Sequence, residues 1–253
     1  MFMDVRREKI KVLLLENKNM TVAELATKFN VSEQTIRRDL KSLEKEGFLK
    51  TTYGGAILNT RVVSTVENIV LQDLLKGNKK RIARKAGEFI LNNDCIFIDF
   101  STTALSLSEE IKDKEITVIS NSLDVMTALS TYKNLSLIGI GGTFLHDKRC
   151  FVNRTALQSL SNYHVDKAFI SCSSISRKKG LSDGHELTAE IRKQIIDNAN
   201  EVYLLIDSSK LDRASFVHIS GFEQITAIIV DNEVSQEWRQ FCDERGIQLY
   251  ECI

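Results

Sequence analysis

The sequence lacks proline altogether, so no helix in its 253 residues can be ended by that residue, and breaks must come from glycine, asparagine and aspartate. The five cysteines are odd in number and include no Cys-x-x-Cys pair. This argues against a disulfide framework and against a compact zinc site. Because the four histidines are scattered as well, we expect no metal and no cofactor.

Long apolar runs are also missing. The longest aliphatic run near the start is Val12–Leu15, far short of the roughly 20 residues that a membrane span needs. The first residues do not contain the apolar segment of a signal peptide. We therefore expect a cytoplasmic protein with no membrane partner.

Net charge is absent, since 34 basic residues balance 34 acidic ones, but the charges are unevenly distributed. Residues 1–60 hold 11 lysines and arginines against 8 acidic residues, so a mildly basic start precedes a mildly acidic remainder. This asymmetry permits nucleic-acid binding without requiring it. Length and a hydrophobic content of 43% favour two domains with a substantial core.

Two short helical patterns meet at Asn30-Val31. The apolar residues Val22, Leu25, Ala26 and Phe29, and then Ile36, Leu40 and Leu43, recur at helical spacing. Ser32 is placed to cap the second helix. This pattern is typical of a helix-turn-helix, and the residues of its second helix that we expect at DNA are Ser32, Glu33, Gln34, Thr35, Arg37, Arg38 and Lys41. The alternative is that these charged residues only form the solvated face of a surface helix.

Flanking patterns extend this unit. Residues 4–17 predict an amphipathic helix with apolar positions Val5, Ile10, Leu13 and Leu14, and residues 48–57 predict a hairpin that turns near Gly54-Gly55. A helix-turn-helix followed by a hairpin is a winged helix. Its wing makes Lys50, Tyr53 and Gly54 candidate DNA contacts, although Tyr53 can equally pack on its own domain.

The run VAELATKFNVSEQTIRRDLKSLEKEGFLKTTYGGA resembles the amino-terminal signature of the DeoR family of bacterial transcription regulators. The resemblance covers about the first 56 residues, with Thr51 and Tyr53 where the family usually has arginine and histidine. We expect a winged helix-turn-helix domain over residues 1–58, a linker over 59–77 and a second domain over 78–253. The second domain begins with a basic amphipathic helix over 78–91, whose charged face includes Lys79. We expect this face to be solvated, and the alternative is that it contacts DNA or a partner subunit.

From residue 94 onward, short apolar runs alternate with amphipathic patterns, which predicts an α/β fold with a mainly parallel sheet covered on both faces. The expected strands are 95–100, 116–120, 135–140, 167–172, 202–207, 227–230 and 248–251. The expected helices are 103–111, 122–132, 188–198 and 234–245. Ligands of such sheets bind beyond the carboxyl ends of the strands.

Polar and glycine-rich turns follow several of these strands. Helix-capping hydroxyls with free backbone amides, glycines that allow close approach, and a lysine after a strand together favour a phosphate-bearing ligand. Taken singly, each turn is a plain helix cap. The expected ligand residues here are Asp99, Ser101, Thr102, Thr103, Asn121, Ser122, Gly141, Gly142, Asp207 and Lys210.

The second domain resembles the sensor domain of DeoR regulators, which is similar in fold to ribose-5-phosphate isomerase and typically recognises a phosphorylated sugar. The family motif D-x-G-T-T falls on residues 99–103, T-N-S on Asn121 and Ser122, and D-x-S-K on residues 207–210. The resemblance places an acidic ligand residue at Glu190, with Glu186 as a second register. Ser101 stands where the family has glycine, and Ser173-Ser174 stand where the family has a glycine-containing turn. The added side chains can narrow the pocket, change which sugar fits or weaken the sensor.

These features predict a transcription regulator with no catalytic residues. We expect it to bind a double-stranded DNA operator, to repress sugar-metabolism or uptake genes and to respond to a phosphorylated sugar. Two heads on one operator imply a homo-oligomer, a dimer or a tetramer. The alternative is a sugar-phosphate isomerase-like enzyme with an accessory DNA-binding head, using a carboxylate base. A third hypothesis is a DNA-binding protein whose second domain serves assembly alone.

Overall fold

The computed structural model describes residues 6–7, 10–11, 13–14, 19–45, 49–52, 54–58 and 77–253. The chain forms two compact units, Met1–Lys76 and Gly77–Ile253. Of the expected linker, only Gly77 lies within the described residues, and it is helical. In the part of the chain that the structure describes, no helix is long and apolar enough to cross a bilayer.

The first unit is built on a helical core. The helical residues described between 6 and 14 form α1, followed by α2 (Val22–Phe29) and α3 (Glu33–Lys45). The buried core residues are Ile10, Leu13, Leu14, Val22, Leu25, Ile36, Leu40, Leu43, Leu49 and Ala56. The predicted helix-turn-helix stripe is confirmed, although Ala26 and Phe29 are only partly buried. Val5 lies outside the described residues.

Local hydrogen bonds fix where these helices begin and end. Thr21 and Glu24 form a capping box at the start of α2, and Asn30 ends that helix in the left-handed conformation with φ 51°. The Ser32 hydroxyl accepts from the Thr35 amide at 3.2 Å, which confirms the expected cap of α3. The turn between α2 and α3 is therefore encoded locally.

A buried carboxylate joins α1 to α3. Asp39 is 1% exposed and accepts hydrogen bonds from Arg6 Nε at 2.6 Å and Arg7 Nε at 3.2 Å. A charge buried in this way needs such partners, because desolvation would otherwise raise its energy by several kcal/mol, on the order of 3–5. Asp39 of α3 therefore stabilises the fold of the first unit.

The wing is a three-stranded antiparallel sheet in the order β1 (Asn19–Thr21), β3 (Gly55–Leu58), β2 (Leu49–Thr51). The strand β1 was not expected. Thr52 and Gly55 exchange backbone hydrogen bonds of 2.9 and 3.4 Å, so the turn lies near Gly54-Gly55 as expected, and Gly55 begins β3. A Cβ at Gly55 would lie 2.2 Å from the Met20 carbonyl oxygen, so the pairing with β1 requires glycine there.

The second unit contains a seven-stranded parallel sheet in the order β15-β14-β12-β9-β4-β5-β6. Its strands are β4 (Cys95–Ile98), β5 (Thr117–Ser120), β6 (Ser136–Gly139), β9 (Val165–Ile170), β12 (Ala199–Ile206), β14 (Ala227–Val230) and β15 (Gln248–Glu251). All seven expected strands are present, and the predicted α/β class is confirmed. Because β5 and β6 extend from one side of β4 while β9, β12, β14 and β15 extend from the other, the strand order reverses between β4 and β9.

Helices cover both faces of this sheet. They are α4 (the helical residues 77–87), α5 (Thr102–Leu105), α6 (Leu123–Leu129), α7 (Arg154–Leu160), α8 (Glu186–Asp197) and α9 (Gln236–Glu244). One apolar cluster packs α4, α5 and α6 on one face, and a larger one packs α7, α8 and α9 on the other. The expected helix 103–111 is instead the short α5 followed by a 3-10 turn, Ser106–Glu109, and α7 was not expected.

Two small antiparallel sheets complete the unit. The hairpin β7 (Thr143–Leu145) and β8 (Cys150–Val152) lies beyond the end of β6. A second sheet has the order β10 (Ser174–Ser176), β11 (Gly180–Asp183), β13 (Val217–Ser220). None of these five strands was expected.

The basic face expected for α4 is only partly exposed. Lys79 is 8% exposed, and Arg81 donates from Nε to the Cys252 carbonyl at 2.8 Å and from Nη2 to the Asp231 carbonyl at 3.1 Å. The placement of Lys79 on a solvated face is therefore wrong, because its position on α4 turns it toward the ends of the central strands rather than away from them.

Candidate nucleic-acid interface and ligand site

A groove of about 470 Å³ runs between α3 and the wing. Its lining residues are Val22, Gln34, Arg37, Arg38, Leu40, Lys41, Thr51, Thr52 and Gly55. The structure thus brings four of the expected DNA-binding side chains, Gln34, Arg37, Arg38 and Lys41, to one surface. Amide and guanidinium groups are the side chains that bond base edges in pairs, and lysine holds phosphates.

The remaining residues at the start of α3 are engaged with the helix itself. The Ser32 hydroxyl lies 2.9 Å from the Thr35 hydroxyl and also caps the helix. Glu33 accepts from Arg37 Nη2 at 3.1 Å, an exposed pair one helical turn apart. Such exposed pairs contribute about 0.5 kcal/mol, so the pair can open when a stronger partner for Arg37 arrives.

The wing is attached to α3 through a contact that the sequence did not suggest. Glu44 accepts from the Thr51 amide at 2.7 Å and from the Thr51 hydroxyl at 2.8 Å, and these hydrogen bonds lower the pKa of Glu44. Lys50 and Gly54 are exposed but do not line the groove, and Tyr53 lies outside the described residues. Of the described wing residues, Thr51, Thr52 and Gly55 line the groove. The contacts of Lys50, Tyr53 and Gly54 with DNA stay predictions.

In the second unit, the carboxyl ends of β4 and β9 meet where the strand order reverses. Asp99 follows β4, and Ser171 follows β9. Asp99 Oδ1 accepts from the Ser101 amide at 2.8 Å, and Asp99 Oδ2 accepts from the Ser171 amide at 3.0 Å. Crevices at such reversals are where ligands of open α/β sheets bind.

A buried arginine connects this point to the neighbouring small sheet. Arg192 of α8 is 3% exposed and donates from Nε to Asp99 Oδ2 at 3.1 Å, and its Nη2 lies 3.0 Å from the same oxygen in an ion pair. Its Nη1 donates to Asp183 at the end of β11. The guanidinium also lies 4.2 Å from the centre of the Phe100 ring. Despite burial, the two carboxylates raise the pKa of Arg192, so it stays charged.

Asp99 consequently acts as an organiser of the strand ends. It is fully buried, and both carboxylate oxygens already accept hydrogen bonds from Ser101, Ser171 and Arg192. A ligand contact by Asp99 would have to use the remaining capacity of Oδ1. Its main contribution is to hold the turns that follow β4 and β9 in place.

The turn after β4 contains the expected Ser101, Thr102 and Thr103. Ser101 caps α5, accepting from the Ala104 amide at 3.0 Å, while Thr103 is buried and Thr102 is exposed. Because α5 has only four residues, its dipole is weaker than that expected for a helix over 103–111. Of the three, the exposed Thr102 is the side chain open to a ligand.

The turn after β5 places a hydrogen-bond acceptor at the same edge of the sheet. Asn121 is fully buried, and its Nδ2 donates to the Phe151 carbonyl at 3.0 Å, while its Oδ1 has no donor among the described residues. Ser122 caps α6 through the Val125 amide at 3.3 Å. Since buried acceptors are rarely left without a donor, Asn121 Oδ1 is suited to a ligand hydroxyl.

The glycines after β6 are exposed. Gly142 has φ 149°, and a Cβ there would lie 2.6 Å from the Val152 carbonyl oxygen. Residue 142 must therefore be glycine because β8 approaches its backbone closely. Gly141, by contrast, has open space around it.

Lysines gather at the end of β12. Lys210 Nζ lies 3.3 Å from the Ser171 hydroxyl and 3.3 Å from Asp207 Oδ2, so it bridges the ends of β9 and β12. Lys79 is near the same pair. Its burial, followed by the charge of Lys210, lowers the pKa of Lys79, and Asp207 opposes that shift. Two cations thus share one carboxylate here.

Glu190 does not join this group. It is exposed on α8, whereas Thr188 and Arg192 are buried on the side that faces the strand ends. A difference of two residues rotates a helical position by about 200°, which turns Glu190 away from the strand ends. The alternative, Glu186, is also exposed. The placement of an acidic ligand residue at Glu190 is therefore not supported.

Sequence reasoning missed Ser171, Asp183, Arg192 and the site role of Lys79. The available signal for Arg192 was its position on the apolar stripe of α8, two turns of buried residues interrupted by a charge. A charge on the buried face of a helix needs a partner of opposite charge. That partner, Asp99, lies 93 residues away in the sequence, so the spacing of residues could not identify it.

Acidification is expected to destabilise the second unit. Burial alone would raise the pKa of Asp183, but Arg192 and the hydrogen bonds from Ser173, Gly184 and Thr188 hold it below its ordinary value of 3.8. Lys210 likewise keeps the pKa of Asp207 lowered against burial. Because both pKa values are lower in the folded chain, their stabilisation is complete above pH 3.8 and is lost as the pH falls below it.

Thermal melts between pH 7 and pH 3 check this expectation. Asp183→Asn should melt lower than the unsubstituted protein at pH 7 and should lose less on acidification. Equal losses for the two proteins would contradict the assignment to Asp183.

Two family models match the chain, one over each unit. The model of the DeoR-like helix-turn-helix domain matches residues 6–62, and that of the DeoR C-terminal sensor domain matches residues 76–232. The HTH-type transcriptional regulator IolR of Bacillus subtilis (strain 168) is 33% identical over 97% of this chain and 98% of its own length. The lactose phosphotransferase system repressor of Lactococcus lactis subsp. lactis is 32% identical over 92% of each.

Among solved structures, ribose 5-phosphate isomerase A from Methanocaldococcus jannaschii is similar over 54% of this chain and 55% of its own. The identity is 21% and the TM-score 0.40.

Proposed function

This chain belongs to the DeoR family of transcriptional regulators, and from that premise we propose that it represses sugar-metabolism or uptake genes under the control of a phosphorylated sugar. It is a DNA-binding regulator and not an enzyme. The proposal adds the direction of control, the ligand and the site, which is the edge of the sheet formed by the turns after β4, β5, β9 and β12.

The observation that carries the ligand proposal is the pair of lysines at the end of β12. Within the described residues, Lys210 forms an ion pair with Asp207 at 3.3 Å, and Lys79 forms none. Two neighbouring ammonium groups with one carboxylate leave a positive charge in a largely buried place, which favours a doubly charged phosphate. The Ser171 hydroxyl beside Lys210 offers a further hydrogen bond.

Other residues at this edge fit the sugar portion. Asn121 Oδ1 accepts a hydroxyl hydrogen, and Thr102 offers an exposed hydroxyl. The isomerase alternative requires a carboxylate free to act as a base. Asp99 and Asp207 are instead held by Arg192 and Lys210, and Glu190 is exposed. Repression of sugar genes is supported by the name of the lactose phosphotransferase system repressor.

The start of α4 offers a route from this site toward the DNA-binding unit along the chain. Asn78 Nδ2 donates to Asp231 Oδ2 at 2.6 Å, and the Ser208 amide donates to Asp231 Oδ1 at 2.7 Å. One carboxylate therefore ties the first turn of α4 to the turn that carries Lys210. We propose that phosphate binding at Lys79 and Lys210 alters this attachment, and that the protein works in the cytoplasm as at least a dimer. Control follows only if ligand and operator prefer different states.

Replacing Lys210 by alanine should weaken the response to sugar phosphates about tenfold or more, since a hydrogen bond to a charged group contributes about 1.5–3 kcal/mol. A thermal-shift screen of phosphorylated sugars identifies the ligand, and fluorescence anisotropy of bound operator DNA then measures its release. Lys193→Ala removes an exposed lysine from α8 and serves as the control. A Lys210→Ala protein that releases DNA at the original ligand concentration would show that the phosphate binds elsewhere.

A further inference from the structure

Phe216 is the most exposed large hydrophobic residue among the described ones, with 86% of its surface accessible. It lies just before β13 and lines a hollow of about 540 Å³. We call this the basic hollow, because the charged residues lining it include Arg177, Lys178, Lys179 and Arg245 against Glu223, with His218 also present. An exposed aromatic ring beside a concave surface is typical of a protein interface and has no role in the ligand site described above.

A second hollow of about 450 Å³ adjoins the first. Arg177, Lys178 and Phe241 line both, and therefore form a ridge between them, which we call the hairpin ridge. The other residues lining the second hollow are Ser176, Asp212, Glu237, Gln240 and Glu244, and we call it the acidic hollow. One face of the second unit thus carries a basic ridge and hollow directly beside an acidic hollow.

The ridge is held in position by contacts within the chain. Arg177 Nε pairs with Asp212 Oδ1 at 3.3 Å, and the guanidinium lies 5.7 Å from the centre of the Trp238 ring. Trp238 Nε1 donates to the other oxygen of Asp212 at 3.1 Å. Lys178 of the ridge and its neighbour Lys179, by contrast, are exposed and form no ion pair within the described residues.

The acidic side is also available for a partner. Hydrogen bonds at Ser235 and at its own amide lower the pKa of Glu237, so this exposed carboxylate is ionised at neutral pH. Glu244 accepts from Gln240 Nε2 at 2.8 Å, and Arg245 is 3.9 Å away. These exposed contacts are weak and leave the carboxylates able to meet an additional cation.

We propose that two copies of this chain associate through this face about a two-fold axis, with the hairpin ridge of each copy seated in the acidic hollow of the other and both Phe216 rings covered. A two-fold contact pairs a surface with itself, so it needs a surface that carries both halves of its own complement. The basic ridge and the acidic hollow supply opposite charges, and Phe216 supplies an apolar anchor. The inference rests on the proposed function only in that operator binding calls for two heads.

Charge reversal tests the arrangement. Reversing the basic side with Lys178→Glu in the ridge and Lys179→Glu beside it, or the acidic hollow with Glu237→Lys and Glu244→Lys, should raise the dissociation constant of the dimer at least about tenfold, because like charges would then face each other. Light scattering after size-exclusion chromatography measures the mass, and circular dichroism checks folding. Phe216→Asp should act in the same direction. Leu91→Asp, at another exposed apolar residue, and Lys80→Glu are the matched controls.

The decisive sample is a mixture of the two reversed proteins. In a two-fold contact, the acidic ridge of one then meets the basic hollow of the other, and the second contact of the pair keeps its original charges. Each reversed protein alone should have a lower mass, the mixture should form a heterodimer, and a chain carrying all four changes should associate again.

The possible failures are distinct. An unsubstituted protein that is a monomer contradicts both this interface and the proposed assembly. If the oligomer keeps its mass in the Phe216→Asp variant and in both charge-reversed variants, the interface lies elsewhere, and the proposed function is not contradicted. Tripolyphosphate, a small polyanion, tests the remaining possibility. If it raises the melting temperature of the unsubstituted protein but not of the Lys178→Glu, Lys179→Glu variant, and the reversals leave the mass unchanged, the basic hollow binds a small anion and the proposed interface is wrong.

Discussion

Replacing Arg192 by methionine is expected to lower the free energy of unfolding of the second unit by about 3–5 kcal/mol. The substitution leaves Asp99 and Asp183 buried without their shared cation, while the volume of the side chain is roughly kept. A carboxylate so placed must either remain charged in a poorly solvated site or take up a proton, and both outcomes destabilise the fold. Urea unfolding followed by circular dichroism at pH 7 measures the loss.

The matched control is Arg239→Met. Arg239 also pairs with a carboxylate, since its Nη2 lies 2.8 Å from Glu251 Oε1, but its side chain is 41% exposed. Solvent screens an exposed pair, so the control should unfold close to the original protein. Arg192→Lys should fall in between, because it keeps the charge but cannot donate to both carboxylates in the same geometry. Similar losses for Arg192→Met and Arg239→Met would mean that the buried network contributes little.

Removing Arg37 and Arg38 together should weaken operator binding about 30-fold or more, because each arginine contact to a base contributes about 1–3 kcal/mol. Both side chains line the groove between α3 and the wing, and both are exposed. Neither contributes to the core of the first unit, so the melting temperature should hardly change. The dependence of binding on salt should also become shallower, since fewer cations meet the DNA.

Operator fragments can be obtained by selecting a random DNA pool with the unsubstituted protein, and gel shifts at fixed salt then compare the variants. Lys45→Ala is the control, because Lys45 is an exposed cation on the last turn of the same helix and does not line the groove. Equal affinity of the Arg37→Ala, Arg38→Ala protein and the control would show that α3 is a solvated helix and that another surface reads the operator.

Much of the fold follows from local patterns. β4, which contains Phe97, and β12, which contains Leu204, include continuous apolar runs. A strand that is buried on both faces can be recognised from its own sequence, without knowing which strands lie beside it. The cap at Ser32 and the stripe through Ile36 and Leu40 are equally local. By contrast, α7 has the mixed sequence RTALQSL, and its burial of Ala156 and Leu160 is set by the cluster it covers.

The short strands were missed for a related reason. Ser174–Ser176 alternates hydroxyls with one isoleucine, and it is a strand because β11 pairs with it. β1 likewise exists because Gly55 allows its backbone to approach. In both cases the hydrogen-bond partner, and not the propensity of the segment, decides the structure.

The sequence by itself determined the α/β class, the helix-turn-helix, and the candidate site residues that directly follow strands, such as Asp99, Asn121 and Lys210, because the end of a parallel strand is also an edge of the sheet. Only the tertiary structure decided what these residues do. It turned Asp99 into a partner of Arg192, brought Lys79 to Lys210 and directed Glu190 to solvent. The physical reason is that the contacts of a buried charge depend on its partner of opposite charge, and the partners here lie far apart in the chain.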